Sequence, residues 1–106
     1  MLRYFSFMKK ELQLMDIQAL NEAAECLKII AHPMRLRMIQ ILQQGKFTVG
    51  ELAELCEMKS HVASEHLRLM QRCRLLDSEK DGRCVHYYIA EPQLNKFMAC
   101  IEEKFG

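Results

Sequence analysis

The segment 60–74, SHVASEHLRLMQRCR, combines residue types that bind metals, form disulfides or contact phosphates. It contains two histidines, three arginines and one cysteine, interleaved with apolar residues at helical spacing. Histidine and cysteine are the usual protein ligands of zinc, whereas arginine pairs with phosphate oxygens. His61 and His66 are five positions apart, so they do not form the i,i+4 pair that chelates a metal from one helix. We therefore expect His66 to be a structural residue that faces inward.

The polar residues of this segment form a basic face. On a helix, residues three or four positions apart share one face. The outward face predicted in this way consists of His61, Ser64, Glu65, Arg68 and Arg72. Arginine and lysine contact phosphates or guanine, and serine and histidine contact phosphates or base edges. Glu65 disfavours phosphate but can accept a hydrogen bond from cytosine. The alternative is an ordinary solvated face without a partner.

The rest of the chain predicts the elements that position this face. Apolar periodicity predicts helices over 16–28, from Pro33 to a stop at Gly45, over 48–56, from Ser60 to before Leu75, and over 93–104. Thr48 and Glu51 have capping-box spacing, and Asp16 and Ser60 are predicted N-caps. The pair Asp81-Gly82, between two segments of alternating residues, predicts a β-hairpin.

This order of elements predicts a winged helix-turn-helix, mainly α with a small β-hairpin, built from about five helices and a two-stranded wing. The helix 48–56, a tight turn and the helix from Ser60 form the helix-turn-helix. The hairpin is the wing and carries Lys80 and Arg83. The terminal helices are more apolar than a three-helix core needs, which favours a dimer.

The predicted DNA contacts divide by chemistry. Phosphate contacts are assigned to Lys59, Arg68, Lys80 and Arg83. Base reading is assigned to Ser60, His61, Ser64 and Glu65. The formal net charge of the chain is only +1. Electrostatic attraction to DNA must therefore come from this local basic surface rather than from the net charge.

Length and composition predict one intracellular domain. The 106 residues suffice for a single domain, 16–106, with an N-terminal extension, 1–15, in which Met8 and Met15 are alternative starts. We expect no signal peptide and a cytoplasmic location. Five cysteines, an odd number without a C-x-x-C pair, favour reduced thiols. No nucleophile–base set and no phosphate loop is recognisable, so we predict neither catalysis nor a cofactor.

Four blocks in order resemble the ArsR/SmtB family of bacterial winged-helix repressors. They are AHPMRLRMIQIL (31–42), FTVGELAEL (47–55), SHVASEHLRLM (60–70) and DGRCVHYYIA (81–90). The resemblance covers roughly residues 23–103. It implies a homodimer that binds a palindromic operator and leaves it when an inducer binds, with a recognition helix at 60–68 and a wing at 80–86.

The metal sites of that family are missing from this chain. Thr48 and Gly50 occupy the positions of the family's Cys-x-Cys metal ligands. The last helix has no histidine, and Glu91, Glu102 and Glu103 alone make a poor zinc site. We therefore predict no standard metal site.

Cysteines are the remaining sensor candidates. Cys26 and Cys100 lie on the two helices that the resemblance assigns to the dimer interface, where they could approach each other. The alternative is that both are small packing residues. Cys73 stands between Arg72 and Arg74, and neighbouring cations lower a thiol pKa while the helix C-terminus opposes this. Thiol redox sensing, non-standard soft-metal sensing and a sensorless interaction module all stay open as the input.

Overall fold

The computed structural model describes residues 12–106, and most of the predicted extension 1–15 lies outside them. Its helices are α1 (Ile17–Ile30), α2 (Pro33–Leu42), α3 (Val49–Leu55), α4 (Ser60–Arg72) and α5 (Gln93–Phe105). Its strands are β1 (Phe47–Thr48), β2 (Leu76–Asp81) and β3 (Cys84–Ile89). The predicted winged helix-turn-helix is confirmed. Over this range, no helix has the length and apolar character needed to cross a membrane.

The sheet has one strand more than the sequence predicts. The predicted hairpin is present as β2 and β3, and β1 adds to the free edge of β3, so that the antiparallel order is β1-β3-β2. Phe47 pairs with Tyr87 and Thr48 with His86. A strand of two residues has no periodicity of its own, so only its long-range pairing defines it.

The predicted caps have mixed outcomes. Thr48 and Glu51 form the expected capping box, in which the Thr48 hydroxyl accepts from the Glu51 N–H at 3.1 Å and Glu51 Oε1 accepts from the Thr48 N–H at 2.8 Å. Asp16 is the N-cap residue of α1, as predicted, although its side chain makes no capping bond. The prediction for Ser60 was wrong, because Lys59 is the N-cap of α4. The tight turn already brings Lys59 into extended geometry, so Ser60 is the first helical residue rather than the cap.

The core lies between the helix-turn-helix, α2, α5 and the sheet, and Ile30 at the end of α1 also contributes to it. Ala63, Leu67 and Met70, the predicted inner face of α4, are fully buried. They pack in one cluster with Met38 of α2 and Leu52 of α3, among others. No polar or charged side chain of residues 12–106 is buried, so hydrophobic packing holds α4 against the body of the domain.

Both helices of the helix-turn-helix end in a Schellman motif without glycine. At the end of α4 the Leu75 N–H donates to the Met70 carbonyl at 3.1 Å, and the Arg74 N–H donates to Gln71 at 2.9 Å. This pattern requires a left-handed residue, and Arg74 has φ +61°. Glu57 occupies the equivalent position after α3, with φ +54°. A Cβ is unfavourable in this conformation.

Replacing Arg74 by glycine is expected to stabilise the fold by about 0.5–1 kcal/mol, because relief of the left-handed Cβ exceeds the entropy cost of glycine. The measurement is the urea midpoint of unfolding. Arg74→Ala is the matched control, since it removes the same charge and keeps the Cβ. An equal gain in both variants would assign the effect to charge rather than to backbone strain.

Candidate nucleic-acid interface

The helix-turn-helix presents one face of α4 to solvent. Its inner residues are buried in the core, and its outward residues are exposed except Ser64, which is half-buried. The exposed residues of the predicted interface are Lys59, Ser60, His61, Glu65, Arg68, Lys80 and Arg83. The predicted basic face is therefore accessible over its whole length.

Among residues 12–106, no carboxylate forms a salt bridge with the cations of this surface. Within residues 12–106 the salt bridges are Lys28–Glu25 at 3.1 Å and Lys46–Glu79 at 2.8 Å. Arg68 of α4 and Lys80 and Arg83 of the wing belong to neither. Unpaired, exposed cations are free to bind phosphate oxygens without first breaking an ion pair.

The wing is a tight hairpin that projects two cations. Asp81 pairs with Cys84, so Gly82 and Arg83 form the two-residue loop, one position later than the predicted Asp81-Gly82 turn. Gly82 has φ +63°, which glycine adopts without a Cβ penalty at the first loop position. At the base of the wing, Lys46 bonds Glu79 and lies 5.3 Å from the ring centre of Tyr88.

A histidine–arginine cluster connects α4 to the start of α2. Arg35 Nε donates to His66 Nδ1 at 3.0 Å, and Arg35 Nη1 donates to the Ile29 carbonyl at 2.7 Å. His32, whose Nδ1 accepts from the Met34 N–H at 3.1 Å, has its ring 4.8 Å from that of His66. The half-buried His66 is thus a structural residue, as expected.

The environment of His66 favours the neutral imidazole. Burial lowers the pKa of His66 below its usual value, the charge of Arg35 and then His32 lower it further, and Glu65 opposes them. Neutral Nδ1 is the acceptor that Arg35 requires. Sequence reasoning missed Arg35, since a contact between residues 31 positions apart has no local signal.

A glutamine fixes the recognition helix to the wing. Gln71 Nε2, in the last turn of α4, donates to Ser78 Oγ at 3.1 Å and to Asp77 Oδ1 at 3.3 Å, both on β2. This contact was not predicted either. The Gln71 bonds therefore connect α4 and the wing, the two parts of the basic surface, through side chains in addition to the backbone.

Cys26 and Cys73 are half-buried free thiols. Cys100 and Cys84 are exposed, and Cys56 is buried. The arginines beside Cys73 do not lower its pKa: burial, followed by the neighbouring Cys26 thiol, raises the pKa of Cys73 to about 11. No group of three or more potential metal ligands occurs among the residues with described positions.

The fold and this surface define the chain as a winged helix-turn-helix protein of the DNA-binding class. A family model described as a helix-turn-helix domain matches residues 30–79. The HTH-type transcriptional regulator YgaV of Escherichia coli is 30% identical over 95 residues, covering 88% of this chain and 96% of that protein. The biofilm growth-associated repressor of Agrobacterium fabrum is 29% identical over 81 residues, 76% of this chain and 69% of that protein.

A solved structure agrees with these relatives. The homodimeric winged helix-turn-helix DNA-binding domain Mb0332 of Mycobacterium bovis, described as a possible ArsR-family regulator, is 25% identical and superimposes with a TM-score of 0.74, covering 84% of each chain. The chain belongs to the ArsR/SmtB family of winged-helix transcriptional repressors, and the predicted family is confirmed.

Proposed function

We propose that the chain is a homodimeric repressor that binds a two-fold-symmetric operator and releases it when its cysteines are oxidised. The observation that carries the DNA-binding part is the set of exposed cations on α4 and the wing, which make no salt bridge within the part of the chain that the structure describes. With α4 docked in the major groove, Arg68 would contact the phosphate backbone, and Lys80 and Arg83 on the wing would contact the flanking phosphates. This proposal places the chain in the cytoplasm with its DNA, without an enzymatic reaction.

Exposed apolar residues support the homodimer. On α1, Ile17 is 70% and Leu27 is 51% exposed, and Phe105 at the end of α5 is 72% exposed. Between the two helices, Leu27, Ile30, Leu94 and Phe97 line an apolar depression. A second copy that packs α1 and α5 against the same helices would cover these residues and would relate two recognition helices by a two-fold axis.

Thiol chemistry is the favoured input because all five cysteines are free thiols in the structure. Cys26 and Cys73 are both half-buried, and the neighbouring Cys26 thiol is one of the groups that raise the pKa of Cys73. A soft metal bound by two thiolates is the second candidate input.

The test is a titration of DNA from the chain's own upstream region by fluorescence anisotropy. We expect the reduced dimer to bind this DNA about 10³-fold more tightly than a scrambled duplex, and the oxidised protein to bind it less tightly. A third titration uses the reduced protein loaded with Cu(I). Weaker DNA binding by this form than by the metal-free reduced protein would indicate that a soft metal is the input. Equal binding of both duplexes by the reduced protein would contradict the repressor assignment.

A further inference from the structure

The end of α1 leaves one backbone carbonyl without a helical donor. The Ile29 carbonyl would accept from the residue four positions later, but that residue is Pro33, which has no N–H. Arg35 supplies the missing donor, since its Nη1 lies 2.7 Å from the Ile29 oxygen. A cation is also favoured here, because the helix dipole is negative at this end. Arg35 is thereby fixed at the α1–α2 junction, residues 29–35.

The same guanidinium also reaches the recognition helix. Arg35 Nε donates to His66 Nδ1 at 3.0 Å, and both side chains are half-buried. His66 lies on the flank of α4, between the buried residue Leu67 and the exposed residue Glu65. Apolar core contacts are non-directional, whereas a hydrogen bond restricts angle as well as distance. The Arg35 contact therefore restrains the orientation of α4 relative to the α1–α2 junction.

We propose that Arg35 and His66 are positioning residues for DNA binding, which hold the recognition helix against the α1–α2 junction until His66 takes up a proton. The bond requires Nδ1 of His66 to be the acceptor, so the neutral ring carries its proton on Nε2. In the protonated ring both nitrogens are donors. Two donors and two positive charges would then face each other where the bond now lies, so the bond is lost and the flank of α4 is released.

The groups around His66 set the pH of this release. Burial lowers the pKa of His66 below the usual value of 6.5, the charges of Arg35 and then His32 lower it further, and Glu65 opposes them. The His32 ring lies 4.8 Å from the His66 ring. The bond is therefore present at neutral pH and is lost as the pH falls through the lowered pKa of His66.

The elements α1, α3 and β2 also pack against α4. On α1, Glu25 pairs with Lys28 at 3.1 Å. Glu51 bonds the backbone at the start of α3, and Asp77 on β2 accepts from Gln71. The other charged side chains of these three elements are exposed. The charged groups that decide the protonation of His66 are thus those of its own cluster.

Acid should weaken DNA binding through His66, which is opposite to the general electrostatic effect. Added protons raise the positive charge of a protein and strengthen its attraction to phosphates. Release of the α4 flank instead loosens the helix that presents His61 and Arg68 to DNA. The sign of the pH dependence therefore separates a positioning role from a charge effect. The effect on DNA affinity rests on the proposed function, whereas the tautomer and the titration of His66 do not.

The first test is a pH titration of the full-length chain, followed by long-range proton–nitrogen NMR spectra of the histidine rings. The His66 signals are assigned by their absence in His66→Asn. We expect His66 to be the Nε2–H tautomer at neutral pH and to titrate below the usual value of 6.5. A proton on Nδ1 at neutral pH, or a titration above that value, would overturn the proposal.

The second test measures affinity for the upstream DNA by fluorescence anisotropy between about pH 7.5 and about pH 5.5, a window around the usual histidine pKa. Asparagine keeps an amide acceptor near the position of Nδ1 and does not titrate. Over this window the wild-type chain should therefore lose about fivefold or more in affinity relative to His66→Asn. The other histidines are present in both proteins, so the comparison removes their contribution. Equal pH profiles of the two proteins would contradict the positioning role.

Arginine variants complete the test. Arg35→Ala should bind DNA less tightly at neutral pH and should lack the acid-dependent loss, because no bond remains for the proton to break. Arg37→Ala, the matched control, removes the same charge from an exposed position on α2 and should keep the wild-type profile. Circular dichroism verifies that both variants are folded. A wild-type profile in folded Arg35→Ala would also overturn the proposal. Failure of the wild-type chain to bind DNA at neutral pH would instead overturn the proposed function, independently of the NMR titration.

Discussion

Replacing Arg68 by alanine is expected to weaken operator binding and to reduce its salt dependence. The Arg68 side chain is exposed on the outward face of α4 and has no salt-bridge partner in residues 12–106. If it neutralises one phosphate, its loss lowers the slope of log K against log salt by roughly 0.9, since one fewer counterion is released. The measurement is operator affinity by fluorescence anisotropy at a series of salt concentrations.

Two further variants sharpen this test. Lys96→Ala removes the same charge from an exposed position on α5, outside the helix-turn-helix, and should leave the slope unchanged. Arg68→Lys keeps the charge and should retain most of the slope, although it loses the two-pronged geometry of the guanidinium. A wild-type slope in Arg68→Ala would remove Arg68 from the phosphate contacts and would leave base reading or solvation as its role.

Replacing Leu27 by glutamate is expected to convert the dimer to a monomer and to abolish tight operator binding. Leu27 is about half exposed, at 51%, and it borders the apolar depression between α1 and α5. Burying a leucine side chain contributes about 1.5–3 kcal/mol to the free energy of association. A two-fold dimer buries two copies of Leu27, one from each protomer. A carboxylate at this position would be desolvated without a partner. Sedimentation velocity gives the oligomeric state.

The control for this variant is Leu55→Glu. Leu55 on α3 is 56% exposed, so it matches Leu27 in exposure and chemistry but lies in the helix-turn-helix, and its replacement should leave the dimer intact. A dimeric Leu27→Glu protein, or a monomeric wild-type chain, would contradict the assignment of α1 and α5 to the dimer contact. Circular dichroism verifies that each variant is folded.

Local patterns in the sequence predicted most of the helix-turn-helix. The inner face of α4 followed from Ala63, Leu67 and Met70 at helical spacing, and the start of α3 followed from Thr48 and Glu51. Both are determined by neighbours within one or two turns. The outward face of α4 followed from the same periodicity, because once one face is buried the opposite face meets solvent.

The remaining features depend on contacts between distant residues. The strand β1 exists only because Phe47 and Thr48 pair with β3. The support of His66 by Arg35 depends on how α2 and α4 cross. That crossing follows from packing of the whole core, which no local period encodes.

The bonds from Gln71 to Asp77 and Ser78 have a consequence for operator choice. They link the last turn of α4 to β2 and therefore restrain the wing relative to the recognition helix before DNA is bound. We expect the protein side of the interface to adapt little to a DNA duplex of different groove width. We expect the protein to prefer operators whose base steps bend easily, or whose grooves narrow easily, to match the spacing between α4 and the wing. This preference would act through DNA shape and deformability at base pairs that no side chain contacts.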